Sequence, residues 1–168
     1  MSSGPSTEQF REAVSRFATG LTVVTCVADG VDHAMTANSF VSVSLDPLLV
    51  FVSVECDTRF HEAVTAAGAW SASILPESDE SAARWFATRG RPLPGQFDRF
   101  SHHRGTSGGA VLLDGALAAL ECRSWRTVPA GDHDLLLGLV VGLEVPTDAA
   151  APLLYHRRRY ATIGSTPG

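Results

Sequence analysis

Met35-Thr-Ala-Asn-Ser-Phe-Val-Ser-Val-Ser-Leu-Asp-Pro47, followed directly by the apolar run Leu48 to Val54, is the stretch on which the fold turns. By itself it predicts a strand with hydroxyls along one side, then a break at Leu45-Asp-Pro47, because proline has no N–H to give a ladder. The run after the break predicts a strand buried on both faces. Between Thr36 and Ser39 the side chains are short. Together with backbone N–H groups they make a rim that a flat heterocycle can approach closely, with donors for its carbonyls and ring nitrogens.

Upstream, Ser6 and Gln9 have capping-box spacing, and Phe10, Val14 and Phe17 recur on one helical face, so Ser6 to Thr19 reads as an amphipathic helix. Gly20 ends it and β-branched residues follow to Ala28. Asp29-Gly30 is a hairpin signal, with a return strand through His33 toward Phe40. Downstream, Asp57 or Thr58 caps a short helix with Phe60, Val64 and Ala67 facing inward, ending at Gly68. A strand over Ala69 to Leu75 follows. A further helix starts at Ser78 or Asp79 and runs to about Arg89. Gly90 to Gly109 lacks periodicity and reads as a long surface loop, a common form of functional lid. Three more strands are expected at Gly115 to Val128, Asp134 to Val145 and Tyr155 to Ile163.

Six or seven strands, two or three short helices and no βαβ alternation predict a mainly β fold, an antiparallel barrel. No GxGxxG turn is present, so a nicotinamide cofactor would have to be held without a Rossmann domain. The chain has 168 residues, 45% of them apolar and 18% charged, which predicts one domain over 1–168 with flexible ends at 1–6 and 164–168. A net charge of −5 argues against nucleic acid and anionic membrane surfaces. The longest apolar run, Leu135 to Leu143, is far short of the roughly 18 residues that span a bilayer. The small, polar N-terminus carries no signal-peptide pattern, and Cys26, Cys56 and Cys122 sit singly. Cytoplasmic thiols are expected, mostly buried, with no metal site. Adjacent His102 and His103 suit one ion poorly. There is no lysine: all 13 basic residues are arginine, which excludes lysine Schiff-base chemistry and a Walker lysine. Any phosphate must be held by arginine, hydroxyls or backbone N–H groups.

Several blocks together resemble the short-chain flavin reductase family, the reductase components of two-component flavin monooxygenases. They are Phe17-Ala-Thr-Gly-Leu-Thr-Val-Val-Thr25, Met35 to Pro47, Gly131-Asp-His133 with Gly138 and Gly142 after it, and Pro152-Leu-Leu-Tyr-His156 with Arg159-Tyr160. The resemblance implies a split β-barrel (the FMN-binding split barrel) that forms a homodimer with flavin at the interface. It implies hydride transfer from NADH or NADPH to FAD or FMN, with reduced flavin passing to a separate monooxygenase. Carried over, Thr36, Ala37, Asn38 and Ser39 would line the isoalloxazine, Asn38 and Ser39 hydrogen-bonding its polar edge. Ser53 and Val54 would lie along the ribityl chain. Thr58, Arg59 and the following helix N-terminus would receive the phosphate. His133 would sit at the flavin and nicotinamide site, and Arg159 and Tyr160 near the flavin, completing the partner's site. The chain departs from the family at Phe60, where a second hydroxyl is common, and Asp57 adds a negative charge beside the phosphate contacts. A flavin-binding split barrel without catalysis is the alternative. An oxidase of the pyridoxamine-phosphate type is disfavoured by the missing lysine and dense arginine cluster.

Overall fold

The computed structural model describes residues 4–147 and 150–164. Ser6 caps α1 (Thr7–Ser15) through a complete capping box with Gln9. Then come β1 (Thr19–Gly20), β2 (Thr22–Ala28), β3 (Val31–Ala37), β4 (Val41–Leu45) and β5 (Leu48–Glu55). α2 (Arg59–Ala67) leads into β6 (Ala69–Ile74), and a short 3-10 turn at Glu77–Asp79 into α3 (Glu80–Ala87). The rest is β7 (His102–Arg104), β8 (Val111–Leu113), β9 (Ala118–Ala130), β10 (His133–Glu144), β11 (Leu153–His156) and β12 (Arg159–Thr162). Of the ends expected to be flexible, residues 1–3 and 165–168 lie outside the described residues.

Seven strands form one antiparallel sheet in the order β3-β2-β6-β9-β10-β5-β4. Flat, its edges would stand about 29 Å apart at about 4.8 Å per strand. Yet β3 and β4 are consecutive in the chain, and the link Asn38–Phe40 can span no more than about 14 Å. The sheet must therefore curl until its edges nearly meet. They do not pair as strands, which leaves a seam, as a split barrel requires. Ser39 stitches that seam: its Oγ donates to the Ser53 carbonyl (3.1 Å) and accepts the Ser53 N–H (3.0 Å).

The barrel interior holds Val24, Cys26, Val50, Val52, Val54, Trp70 and Leu136, and α2 caps it with Phe60, Ala63 and Val64. Gly138 has no room for a side chain, since a Cβ there would stand 2.5 Å from the Trp70 ring. A second cluster joins Leu21, Val23, Leu75, Phe86, Phe97, Val111 and Leu153.

Four expectations change. Within this chain β5 buries only Val50, Val52 and Val54, while Leu49, Phe51 and Ser53 stay partly exposed, so the run is buried on one face. The first helix ends at Ser15 rather than Thr19, and its apolar face is uncovered: Phe10 is 61% and Val14 49% exposed, with Phe17 exposed just beyond it. The segment after Gly90 is not purely a surface loop, because Arg91, Gln96 and Phe97 are buried and anchor it. The final strand is a hairpin, β11–β12, turning at Arg157 and Arg158 with both at positive φ.

Candidate functional site

A groove of about 480 Å³ opens along the seam. One wall is the end of β3 and its continuation, His33 to Ser39, with Ser53 of β5. The other is the chain leaving α3, Phe86 to Arg91 with Leu93. The turn Asp57–Phe60 and His133 lie along it as well. Strand alternation explains the selection on β5. Val50, Val52 and Val54 point into the core, so Ser53 and Glu55 face the groove. Thr36, Ala37, Asn38, Ser39, Ser53, Thr58, Arg59 and His133 are thus brought together as the sequence suggested. Val54 is not: at 1% exposure it belongs to the core, because it is the wrong parity. Arg159 and Tyr160 are not at this groove either. Arg159 is exposed beside the Arg157–Arg158 turn, and Tyr160 packs on Tyr155 with the Arg84 guanidinium 4.4 Å above its ring.

Most of the hydroxyls already have protein partners. Thr36 Oγ1 donates to the Ala83 carbonyl of α3 (2.7 Å), tying the two walls together. Thr58 Oγ1 donates to the Glu55 carbonyl (2.8 Å) and accepts the His61 N–H (3.2 Å), so it is the N-cap of α2. The side chains of Thr36, Ser39 and Thr58 are therefore held by the protein's own hydrogen bonds and shape the groove.

The electrostatics come from Arg59, which the sequence singled out, and from Arg91 and His33, which it did not. Arg91 is 9% exposed and donates to the carbonyls of Phe86 (3.0 Å), Thr88 (3.2 Å) and Ala34, and to Gln96 Oε1 (3.2 Å). Every one of these acceptors is neutral. Among the described residues, neither Arg91 nor Arg59 forms an ion pair with a carboxylate. Arg59 donates to the Arg91 carbonyl at 2.8 Å. Burial, followed by the nearby Arg59 charge, brings the Arg91 guanidinium down to about 10, still cationic at neutral pH. The same surroundings, burial first and then Arg59, hold the His33 imidazole below its usual range. Arg59 and Arg91 outnumber Asp57, the lining carboxylate outside the Arg89–Glu55 pair, so the groove carries net positive charge in a chain of net charge −5 and favours an anion. Across the mouth, Arg89 pairs with Glu55.

His133 opens β10, and its Nδ1 lies 2.7 Å from Asp132 Oδ1. The hydrogen bond from His133, and then its charge, hold the Asp132 carboxyl below its usual range. An ionised carboxylate only accepts, so Nδ1 carries the proton and Nε2 is the other ring nitrogen. Asp132 thus orients the ring.

This geometry is that of a split barrel with a charged groove along its seam. The family model described as "Flavin reductase like domain" matches residues 14–164, and the chain belongs to that family. NADH-dependent FMN reductase AsuE2 of Streptomyces nodosus subsp. asukaensis is 38% identical over 160 residues, 95% of this chain and 86% of that protein. The reductase component of 4-hydroxyphenylacetate 3-monooxygenase of Thermus thermophilus is 37% identical over 153 residues, 91% of this chain and 94% of its own length. Among solved structures, the NADH:FAD oxidoreductase SgcE6 of Streptomyces globisporus, in complex with NAD and FAD fragments, superposes with a TM-score of 0.87 at 38% identity. The match covers 94% of this chain and 92% of that one. No described helix is long and apolar enough to cross a membrane.

Proposed function

We propose that this chain is an NADH:flavin oxidoreductase that supplies reduced flavin to a separate flavin-dependent monooxygenase. The observation that carries the reading is the seam groove, with its backbone wall at 36–39, His133 along it and the neutral-partnered Arg91 beside Arg59. A bound flavin accepts a hydride from a bound reduced nicotinamide, chemistry that belongs to those two molecules. The chain supplies orientation and charge. The backbone of Thr36 to Ser39, with Ala37 and Asn38 between, borders the ring, and Ser53 stands where the ribityl chain would run. Arg59 takes the phosphate, with Thr58 holding the helix that presents it and the buried Arg91 charge behind it adding attraction without a free N–H of its own. His133, held by Asp132, positions the nicotinamide. FAD and FMN both suit a site whose strongest anchor is one phosphate.

A homodimer is part of the proposal. It is supported by the uncovered face of α1, a nine-residue helix too short to persist without packing, and by exposed Val41, Val43, Leu45 and Leu48 at the β4–β5 hairpin. In such a dimer Arg159 and Tyr160 would serve the partner's groove. We further take residues 1–168 as one flavin reductase-like domain working in the cytoplasm, where NADH is consumed.

The test is spectrophotometric: NADH oxidation is followed with the protein and FAD or FMN, and repeated with NADPH. Flavin-dependent turnover well above the uncatalysed rate is expected. Flavin that binds without being bleached anaerobically by NADH would instead mark a non-catalytic binder.

A further inference from the structure

Outside the groove, the fold gathers three chemistry-bearing side chains that lie apart in sequence. Cys56 follows β5, His61 is in the first turn of α2, and Asp134 is the second residue of β10. One ligand atom from each lies within 4.8 Å of the other two, and His61 Nε2 is 2.7 Å from Asp134 Oδ2. The spacing of cysteines and histidines along the chain offered no ligand set, so no metal site was expected. We propose that Cys56, His61 and Asp134 form a site for a zinc-type divalent cation, with water as the fourth ligand. This inference does not depend on the flavin reading.

Each member is held from its own element. The Cys56 N–H donates to the Asp132 carbonyl at 3.0 Å, tying the turn after β5 to the β9–β10 turn. The Thr58 cap receives the His61 N–H and so sets the start of α2. Asp134 pairs in register with Val54, on the strand face opposite His133 and Glu55, so the cluster stands behind the groove wall, not in it. His61 and Asp134 are each 18% exposed and Cys56 is exposed, so the cluster is enclosed yet open to solvent on the thiol side.

Donor chemistry selects the ion. Thiolate, imidazole and one carboxylate match zinc or cobalt, whereas magnesium and calcium take oxygen ligands. Bonds of about 2.0–2.3 Å in tetrahedral geometry separate ligand atoms by roughly 3.3–3.7 Å. The His61–Asp134 contact would therefore open by under about 1 Å, within side-chain torsion, as the cation replaces the proton they share. Asp57 and Asp132 add negative charge around Cys56 without occupying the cluster. Once bound, the ion would cross-link the ends of β5, α2 and β10, the segments that carry Asp57, Arg59 and His133 to the groove.

Cobalt titration of the full chain tests this. One equivalent should produce tetrahedral d–d bands and a thiolate-to-cobalt charge-transfer band, competed away by one equivalent of zinc. Buried Cys26 and Cys122, with thiols pushed up to about 12, cannot supply that band. Cys56→Ser should abolish charge transfer, and Asp134→Asn should weaken zinc binding at least about tenfold in equilibrium dialysis. Each variant's fold is checked by circular dichroism. Absence of a charge-transfer band in the unmodified chain would overturn the site, as would its survival in folded Cys56→Ser or unchanged zinc affinity in Asp134→Asn.

Discussion

On the strand wall of the groove, the hydroxyls have partners within the protein: Thr36 bonds to Ala83 across to α3, and Ser39 bonds twice to Ser53. On the wall that follows α3, Arg91 has a full set of neutral acceptors but no counter-charge, and Arg59 stands against it. The first wall is a shape, held rigid by hydrogen bonds that a ligand need not disturb. The second carries unbalanced charge, which a phosphate would complete. Orientation and affinity are thus divided between two regions with different physics.

Arg91→Met should produce the largest effect, because it removes the charge and leaves several buried carbonyls without a donor. A loss of about 3 kcal/mol in urea unfolding is expected, with flavin affinity lowered at least about tenfold. Arg91→Lys should rescue little of either, since an ammonium cannot reproduce the guanidinium fork. Full flavin affinity in a folded Arg91→Met protein would remove the charged wall from the argument.

His133→Ala should separate turnover from binding. An expected fall of about tenfold in NADH turnover, or about 1.4 kcal/mol, should accompany a flavin Kd changed less than about twofold. Unchanged turnover would take His133 out of the site.

Ser39→Ala tests the strand wall. Losing one hydroxyl that both donates and accepts should cost about 1 kcal/mol of stability and raise flavin Kd a few-fold as the seam loosens. Thr58→Ala should cost a similar amount through the lost N-cap, with flavin affinity lowered less than in Ser39→Ala, because the rest of α2 still presents Arg59. Equal effects of the two on flavin affinity would mean the seam has no special role.

The smallest expected effect lies where the segment from α3 reaches the rest of the fold. His103 Nδ1 lies 2.7 Å from Asp114, and Nε2 lies 3.1 Å from Glu144. Hydrogen bonds to Asp114 and then Glu144 raise its imidazole above 6.5. A raised histidine stabilises the fold fully below its unfolded value, and the contribution fades as pH climbs through the folded one. Unfolding free energy should therefore fall slightly from pH 6.5 upward, by under about 0.5 kcal/mol for so exposed a cluster. His103→Gln should remove that slope, and an identical pH profile in the variant would show that the clamp contributes nothing.

The strand wall was legible from sequence because its information is local. Alternation, the proline break, the Asp29-Gly30 turn and the capping residues Ser6 and Thr58 each act within a few positions, and each formed the element expected. Parity along β5 was also readable. It places Ser53 at the groove and Val54 in the core, and treating both as ligand contacts overlooked that alternation. Arg91 had no such signal, since it follows Gly90 in a segment without periodicity and is buried only because Ala34, Phe86 and Gln96 converge on it. The exposed face of α1 is a different case. The amphipathic pattern announces that the face must be covered, and it does not say by what.

By itself, then, the sequence determined the class of fold, the main strands and helices, and the stretch from Thr36 to Ser39 as a rim of short side chains, which the structure sets along the groove. Turn chemistry, capping and alternation suffice for those. Only the tertiary structure decided that Arg91 joins Arg59 and His133 at that stretch, and which residues meet behind it. Arg91, Arg59 and His133, and the Cys56–His61–Asp134 cluster, come from segments far apart in the chain. The groove forms because a three-residue link between β3 and β4 forces a seven-stranded sheet to curl onto itself, and the cluster forms where the paired strands β5 and β10 meet α2.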